Sequence, residues 1–185
     1  LYTGPNRVVA HPPCAVWCQL AAVVEARYGY LRGEDGGCFA SALASVRRWG
    51  GVLEHPAFTK AWPAFGLPRP VHGVWQRELL GPGWVTQVSQ AAYGHRARKL
   101  TWLYLVGEPR QINWETPIPR ATVSFMTNHG GGNLPRLSKR EANETPRAFA
   151  ELLVALASTG ASPGATTGSS ASDLDGQPGP AEDSP

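Results

Sequence analysis

The chain has 185 residues, of which 42% are hydrophobic, enough to bury the core of one ordinary domain. No apolar run nears the roughly 20 residues that cross a bilayer, and the N-terminus lacks the basic, apolar and small-residue regions of a secretory signal, so a cytoplasmic location with no membrane partner is expected. The formal charge of +3 is uneven: residues 158–185 carry Asp173, Asp175, Glu182 and Asp183 and no Lys or Arg, leaving 17 basic and 10 acidic residues, a net +7, on a body compatible with a polyanionic partner such as nucleic acid.

Arg7-Val8-Val9-Ala10 is a short β-branched run that Pro12-Pro13 ends, so it reads as a strand with Cys14 just beyond its C-terminal end. Residues 38–49 place Phe39, Leu43, Val46 and Trp49 at helical spacing, and Gly50-Gly51 supplies the stop. Gly51-Val52-Leu53-Glu54 then reads as a second strand, ending at His55-Pro56. The Trp/Pro-rich stretch 61–82 has no clear period and is expected to wrap the surface as an ordered loop. Further strands are predicted at residues 84–88 and 101–106, the second nearly continuously apolar, as for a strand covered on both faces.

A last helix is predicted from Thr145-Pro146, as cap and first turn, through Ala157, with Phe149, Leu152, Leu153 and Leu156 on one face. From Ser158 onward the sequence is Gly, Ser, Ala, Thr and Pro with scattered acids, so residues 158–185 are expected to be a disordered tail behind a domain of residues 1–157. The pattern is α/β throughout. Cys14, Cys18 and Cys38 are an odd number without a regular framework, which fits free thiols in a reducing compartment.

Ligands in open α/β sheets bind at the C-terminal ends of the strands, where two reactive groups fall. Cys14, fixed by two rigid prolines, is a candidate nucleophile or else a buried loop cysteine. Glu54 ends an apolar strand, where a carboxylate is costly to bury unless paired or protonated; it suits proton donation, or else bonds to backbone amides. The segment Tyr93-Gly94-His95-Arg96-Ala97-Arg98-Lys99 brings four potentially cationic side chains before an apolar strand, suited to phosphates or a substrate carbonyl, or else a solvated loop.

In this order His11-Pro12-Pro13-Cys14, Leu53-Glu54-His55-Pro56 and Tyr93-Gly94-His95-Arg96-Ala97-Arg98 resemble the catalytic motifs of the DNA cytosine-5 methyltransferase family: Pro-Pro-Cys, Glu-Asn and Gln-x-Arg-x-Arg. Separations of 40 and 42 residues each leave room for a helix or loop plus a strand. Arg136-Leu137-Ser138-Lys139-Arg140-Glu141-Ala142 is similar to the family's Leu-Thr-x-Arg-Glu-Ala motif, and residues 146–157 to its closing helix, so the resemblance spans residues 7–157. It is closer to abbreviated phage- and prophage-type relatives with a Gly-His segment in the arginine motif.

The resemblance implies an α/β, three-layer Rossmann-like methyltransferase fold, incomplete because the N-terminal cofactor-binding strands are missing. It implies that Cys14 attacks C6 of a flipped-out cytosine, that Glu54 stabilises protonated N3, and that C5 takes a methyl group from S-adenosylmethionine. Arg96 would contact the base and the Cys14 side of the site, and Arg98 and Lys99 the phosphates of DNA.

The chain departs from the family pattern in several places. His55 replaces the Asn after the glutamate, the glutamine and one proline of the arginine motif are missing, and only 27 residues separate Gly107 from Pro135, where the family keeps its base-reading domain. Only six residues precede Arg7 and no Gly-rich loop precedes Pro-Pro-Cys, so an incomplete cofactor pocket is expected, to be completed by a separate chain or by the rest of a longer one whose fragment begins at Leu1.

Other readings stay open. The chain is a truncated or remnant fold that binds DNA without turnover, or an amino-methylating DNA methyltransferase with His11-Pro12-Pro13-Cys14 as a variant of its Asp/Asn-Pro-Pro-aromatic motif. Cys14, Cys18, Cys38 and His55 lack the paired spacing of a zinc site, so no metal is expected.

Overall fold

The computed structural model describes residues 2–114, 135 and 137–159. Five strands form one mixed sheet: β1 (Val8–Ala10), β2 (Gly51–Pro56), β3 (Gln76–Arg77), β4 (Trp84–Ser89) and β5 (Leu100–Val106). Their spatial order is β1-β2-β5-β4-β3; β1 runs parallel to β2, and all other pairs are antiparallel. The last strand in sequence, β5, is therefore inserted between β2 and β4. With β5 reversed, the C-terminal ends of β1, β2 and β4 share one edge with the start of β5.

Period-two alternation sends the strand residues to two cores. Leu53, Val85, Trp102 and Tyr104 face helix α2 (Cys38–Trp49), which contributes Phe39, Leu43 and Val46. Val52, Val88, Leu103 and Leu105 face helix α5 (Arg147–Ala157), which contributes Phe149, Leu153 and Leu156. Helices thus cover both faces of a mixed α/β sheet, and β5, buried on both sides, is almost wholly apolar for that reason.

Helix α2 has the expected bounds, and Gly50, at φ 75°, stops it with a bond from its N–H to the Val46 carbonyl at 2.9 Å. Its first turn is held by Asp35, which accepts from Gly37 N–H at 2.9 Å, Phe39 N–H at 2.8 Å and the Trp17 indole at 2.8 Å. Desolvation opposes the charge on Asp35, but these donors outweigh it and hold its carboxyl below the usual value. The bonds also tie the loop after Cys14 to α2.

Several boundaries differ from the sequence reading. β2 continues through His55 to Pro56, paired residue by residue with β5. Residues 61–82 are a surface wrap only in part: they hold α3 (Ala61–Ala64) and β3, and Trp62, fully buried, packs 5.6 Å from Trp102 and 5.9 Å from Phe39, while Val71, Val74, Leu79 and Leu80 are exposed. A helix α1 (Ala21–Tyr28), a 3-10 turn (Gln90–Tyr93) and a short helix α4 (Lys139–Asn143) were not foreseen. α5 begins at Arg147, because the Pro146 carbonyl, in an extended conformation, already accepts from Phe149 and Ala150, so Pro146 and not Thr145 is the cap.

The ordered body also continues past residue 157: Thr159 is buried, its hydroxyl donates to Glu108 O at 3.0 Å, and its carbonyl accepts from Arg7. The tail from residue 160, most of the segment between Gly107 and Pro135, and Arg136 lie outside the described residues. Among the described residues no helix is long and apolar enough to cross a membrane.

Candidate functional site

β1 delivers Cys14 to the shared sheet edge. Beyond Ala10 the prolines at 12 and 13 offer no N–H, so the chain leaves the sheet, and Trp17 N–H closes a turn onto the Cys14 carbonyl at 3.0 Å. Trp17 anchors this turn: its ring packs 5.9 Å from Phe65 and 6.2 Å from Phe39, while its indole bonds to Asp35. Burial pushes the Cys14 thiol above its ordinary value, and the nearby Cys18 and Glu54 push in the same direction; its own backbone bond and Lys99 oppose them.

Glu54 is the fourth residue of β2 and nearly buried, on the face that carries α5. One carboxylate oxygen lies 2.9 Å from His11 Nδ1, and the other accepts a long bond, 3.4 Å, from the Gln90 amide, which also donates to the Thr101 hydroxyl at 3.0 Å. Gln90 is buried at the end of β4, and its side-chain carbonyl has no partner among the described residues. Paired in this way, the carboxylate avoids the cost of an isolated buried charge and stays open to one more proton donor.

Lys99 precedes β5 and is half-buried. Its ammonium donates to the Glu144 carbonyl at 3.1 Å and interacts electrostatically with both Glu54 and Cys14; burial pulls its pKa down, against the pull of those two groups. Arg96 is placed elsewhere: it is exposed and donates to Glu141 at 2.7 Å, while Glu141 also closes the capping box of α4 with Ser138. Hydrogen bonds from Ser138, then the Arg96 charge, hold the Glu141 carboxyl below its usual value. Arg98 is exposed.

Cys14, Glu54 and Lys99 thus act on one another electrostatically without a direct hydrogen bond or ion pair among them, and Arg96 and Arg98 lie exposed on the same segment as Lys99. His11 and Gln90 are the site residues whose roles the sequence reading missed; the signal available for Gln90 was its position directly after a strand of the same direction as β1 and β2. His55, although adjacent to Glu54, belongs to the opposite face, where its ring stacks on Trp62 at 6.3 Å and meets Phe39 edge-on at 5.3 Å.

Two clefts adjoin this edge. One of about 680 Å³ is lined by Trp17, Cys18, Glu25, Arg32 and Lys60, the other of about 210 Å³ by His95, Arg96, Glu141 and Glu144; neither includes Cys14 or Glu54. All three cysteines are free, and among the described residues no three of His, Cys, Asp and Glu are placed to hold a metal ion. The chain matches no protein-family model, no curated protein and no solved structure.

Proposed function

We propose that this chain carries the ring-activating half of a DNA cytosine-5 methyltransferase-like site, on a sheet corresponding to the C-terminal part of a Rossmann-like methyltransferase fold. The observation that supports the reading is the convergence of Cys14 and Glu54. Cys14 lies in the loop that follows β1 and Glu54 in the second half of the adjacent parallel strand β2, and the two act on each other and on one lysine electrostatically.

In this reading the Cys14 thiolate forms a bond to C6 of an unstacked cytosine, and the C5–C6 π pair moves toward C5 and N3. Glu54 faces N3 and stabilises its protonated form, which lowers the cost of placing charge on the ring. Three free cysteines favour a reducing, cytoplasmic setting.

S-adenosylmethionine, the donor that the resemblance implies, has no cradle among the described residues. β1 and β2 run into Pro12-Pro13 and His55-Pro56 and not into a glycine-rich turn, and neither adjoining cleft reaches Cys14. No methyl-transfer step is assigned to these residues; the donor side belongs to another segment or a separate chain.

Addition at C6 makes the C5 proton exchangeable with water before any methyl group is involved. A single-stranded oligonucleotide tritiated at cytosine C5 should therefore release tritium in the presence of this chain. The release should vanish with Cys14→Ser and fall at least about tenfold with Glu54→Gln. Release that survives Cys14→Ser refutes the mechanism, and no release from the wild type supports the alternative of a fold that binds DNA without turnover.

A further inference from the structure

The parallel register of β1 on β2 sets Val8 beside Gly51, Val9 beside Val52 and Ala10 beside Leu53; carried one residue further, it sets His11 beside Glu54. Ala10 and Leu53 fill the core under α2, so alternation turns the next pair toward the other face. There His11 Nδ1 lies 2.9 Å from one Glu54 carboxylate oxygen. The two partners stand in different surroundings: the His11 side chain is 43% exposed and that of Glu54 only 11%. The other groups near the carboxylate are the Gln90 amide from the end of β4, itself bonded to Thr101 of β5, and, at longer range, Cys14 and Lys99, whose ammonium is bonded to the Glu144 carbonyl. His55 faces the opposite core. Among the described residues, His11 is thus the one titratable side chain in hydrogen-bond contact with Glu54, and its ring reaches from that buried oxygen to solvent.

We propose that His11 is a positioning residue that relays protons between solvent and the buried Glu54 carboxylate. This deepens the function proposed above and rests on Glu54 facing N3 of an unstacked cytosine. As sulfur bonds to C6 and the ring pair moves toward N3, N3 gains a proton from the carboxylate, which needs it replaced. The Nδ1 proton of His11 passes to the carboxylate, while Nε2, which has no hydrogen bond among the described residues, takes one from water or a buffer acid. One proton thus moves from solvent to N3 and the imidazole ends neutral, its proton on Nε2. The same path runs backward when the addition reverses and restores the Nδ1–H form. An arginine here would neutralise the carboxylate but keep its proton, and a glutamine would bond to it with no proton to give.

Nitrogen-15 labelling of the histidine rings tests the pair without DNA. Long-range proton–nitrogen spectra at about pH 8.5, where an ordinary imidazole is neutral, report which ring nitrogen carries the proton. His11, identified by the loss of its signal in His11→Gln, should be the Nδ1–H tautomer in the wild type and should revert in Glu54→Leu to the Nε2–H form that free histidine favours. Tritium release from cytosine C5 then tests the relay. It should fall at least about tenfold in His11→Gln, which keeps an N–H donor toward Glu54 but cannot pass a proton on. His11→Ala should lose as much, and added imidazole should restore its release; urea unfolding checks that both variants fold. An Nε2–H His11 in the wild type overturns the proposal, as does a loss in His11→Ala that imidazole fails to restore. Wild-type release that His11→Gln leaves unchanged defeats the relay alone. No release from the wild type, even with His11 in the Nδ1–H form, defeats the function on which the relay rests.

Discussion

His55 is fully buried between Phe39 and Trp62, and neither ring nitrogen has a hydrogen-bond partner of normal geometry. Burial pushes its imidazole below the ordinary 6.5, with Glu54 and the Pro13 backbone compensating in part. The folded ring therefore refuses a proton that the unfolded ring accepts. Its contribution to stability is fully present above pH 6.5 and is lost as the pH falls toward the lowered folded value. Between pH 7.5 and 5.5 protonation stabilises the unfolded ring by about 1.4 kcal/mol, which sets the largest loss that this residue can cause over that interval. His55→Phe keeps a ring between Phe39 and Trp62 but cannot titrate. Its overpacking cost of about 1–3 kcal/mol falls equally at both pH values. Urea unfolding of both proteins at pH 7.5 and 5.5 reads the difference directly: the wild type should lose up to about 1.4 kcal/mol more than the variant on acidification. Parallel losses would mean that the folded ring takes up its proton freely, and the argument from burial would fail.

Gly51→Ala should detach β1 from the sheet. A β-carbon there would sit 2.6 Å from Val8 N and 2.8 Å from Val8 C, closer still to the Val8 carbonyl, at a φ of 122° that L residues avoid. The expected loss is about 3 kcal/mol or more in urea unfolding, with faster alkylation of Cys14 as its turn loosens; a loss under about 1 kcal/mol would contradict the pairing of β1 with β2. Trp62→Ala should cost about 3–5 kcal/mol by leaving a cavity among Phe39, His55 and Trp102. By contrast, Leu79→Ser and Leu80→Ser, at 93% and 96% exposure, should change stability by less than about 0.5 kcal/mol, and equal effects in unfolding titrations would overturn the placement of this core.

The parts of the fold legible in sequence are those where local pattern and tertiary burial agree. Residues 38–49 show one apolar face and end in two glycines, and they form α2 with the expected bounds. The apolar run that forms β5 is buried on both faces because both cores need it. Helix α1 was missed because only Ala21 is buried along it, so no periodic stripe marks it. Trp62 was missed for the opposite reason: its burial is imposed by Phe39, His55 and Trp102, residues 7 to 40 positions away, and nothing in the local spacing of residues 61–82 announces that contact. The insertion of β5 between β2 and β4 is likewise a non-local pairing.

The candidate site divides along the same line. Cys14 and Glu54 could be singled out in sequence because strand ends in an α/β pattern mark the edge where ligands bind, and the structure sets Glu54 in β2 and Cys14 in the loop after β1. The cationic segment was not, because a run containing His95, Arg96, Arg98 and Lys99 gives no sign of which side chains turn inward. Residues 96–97 form a bend ahead of β5, and only from Leu100 does a register apply, with Leu103 opposite Glu54 and Thr101 opposite Pro56. The register puts odd-numbered residues on the Glu54 face. That register is enforced by the two cores, which Leu103, Tyr104 and Leu105 must fill from opposite sides.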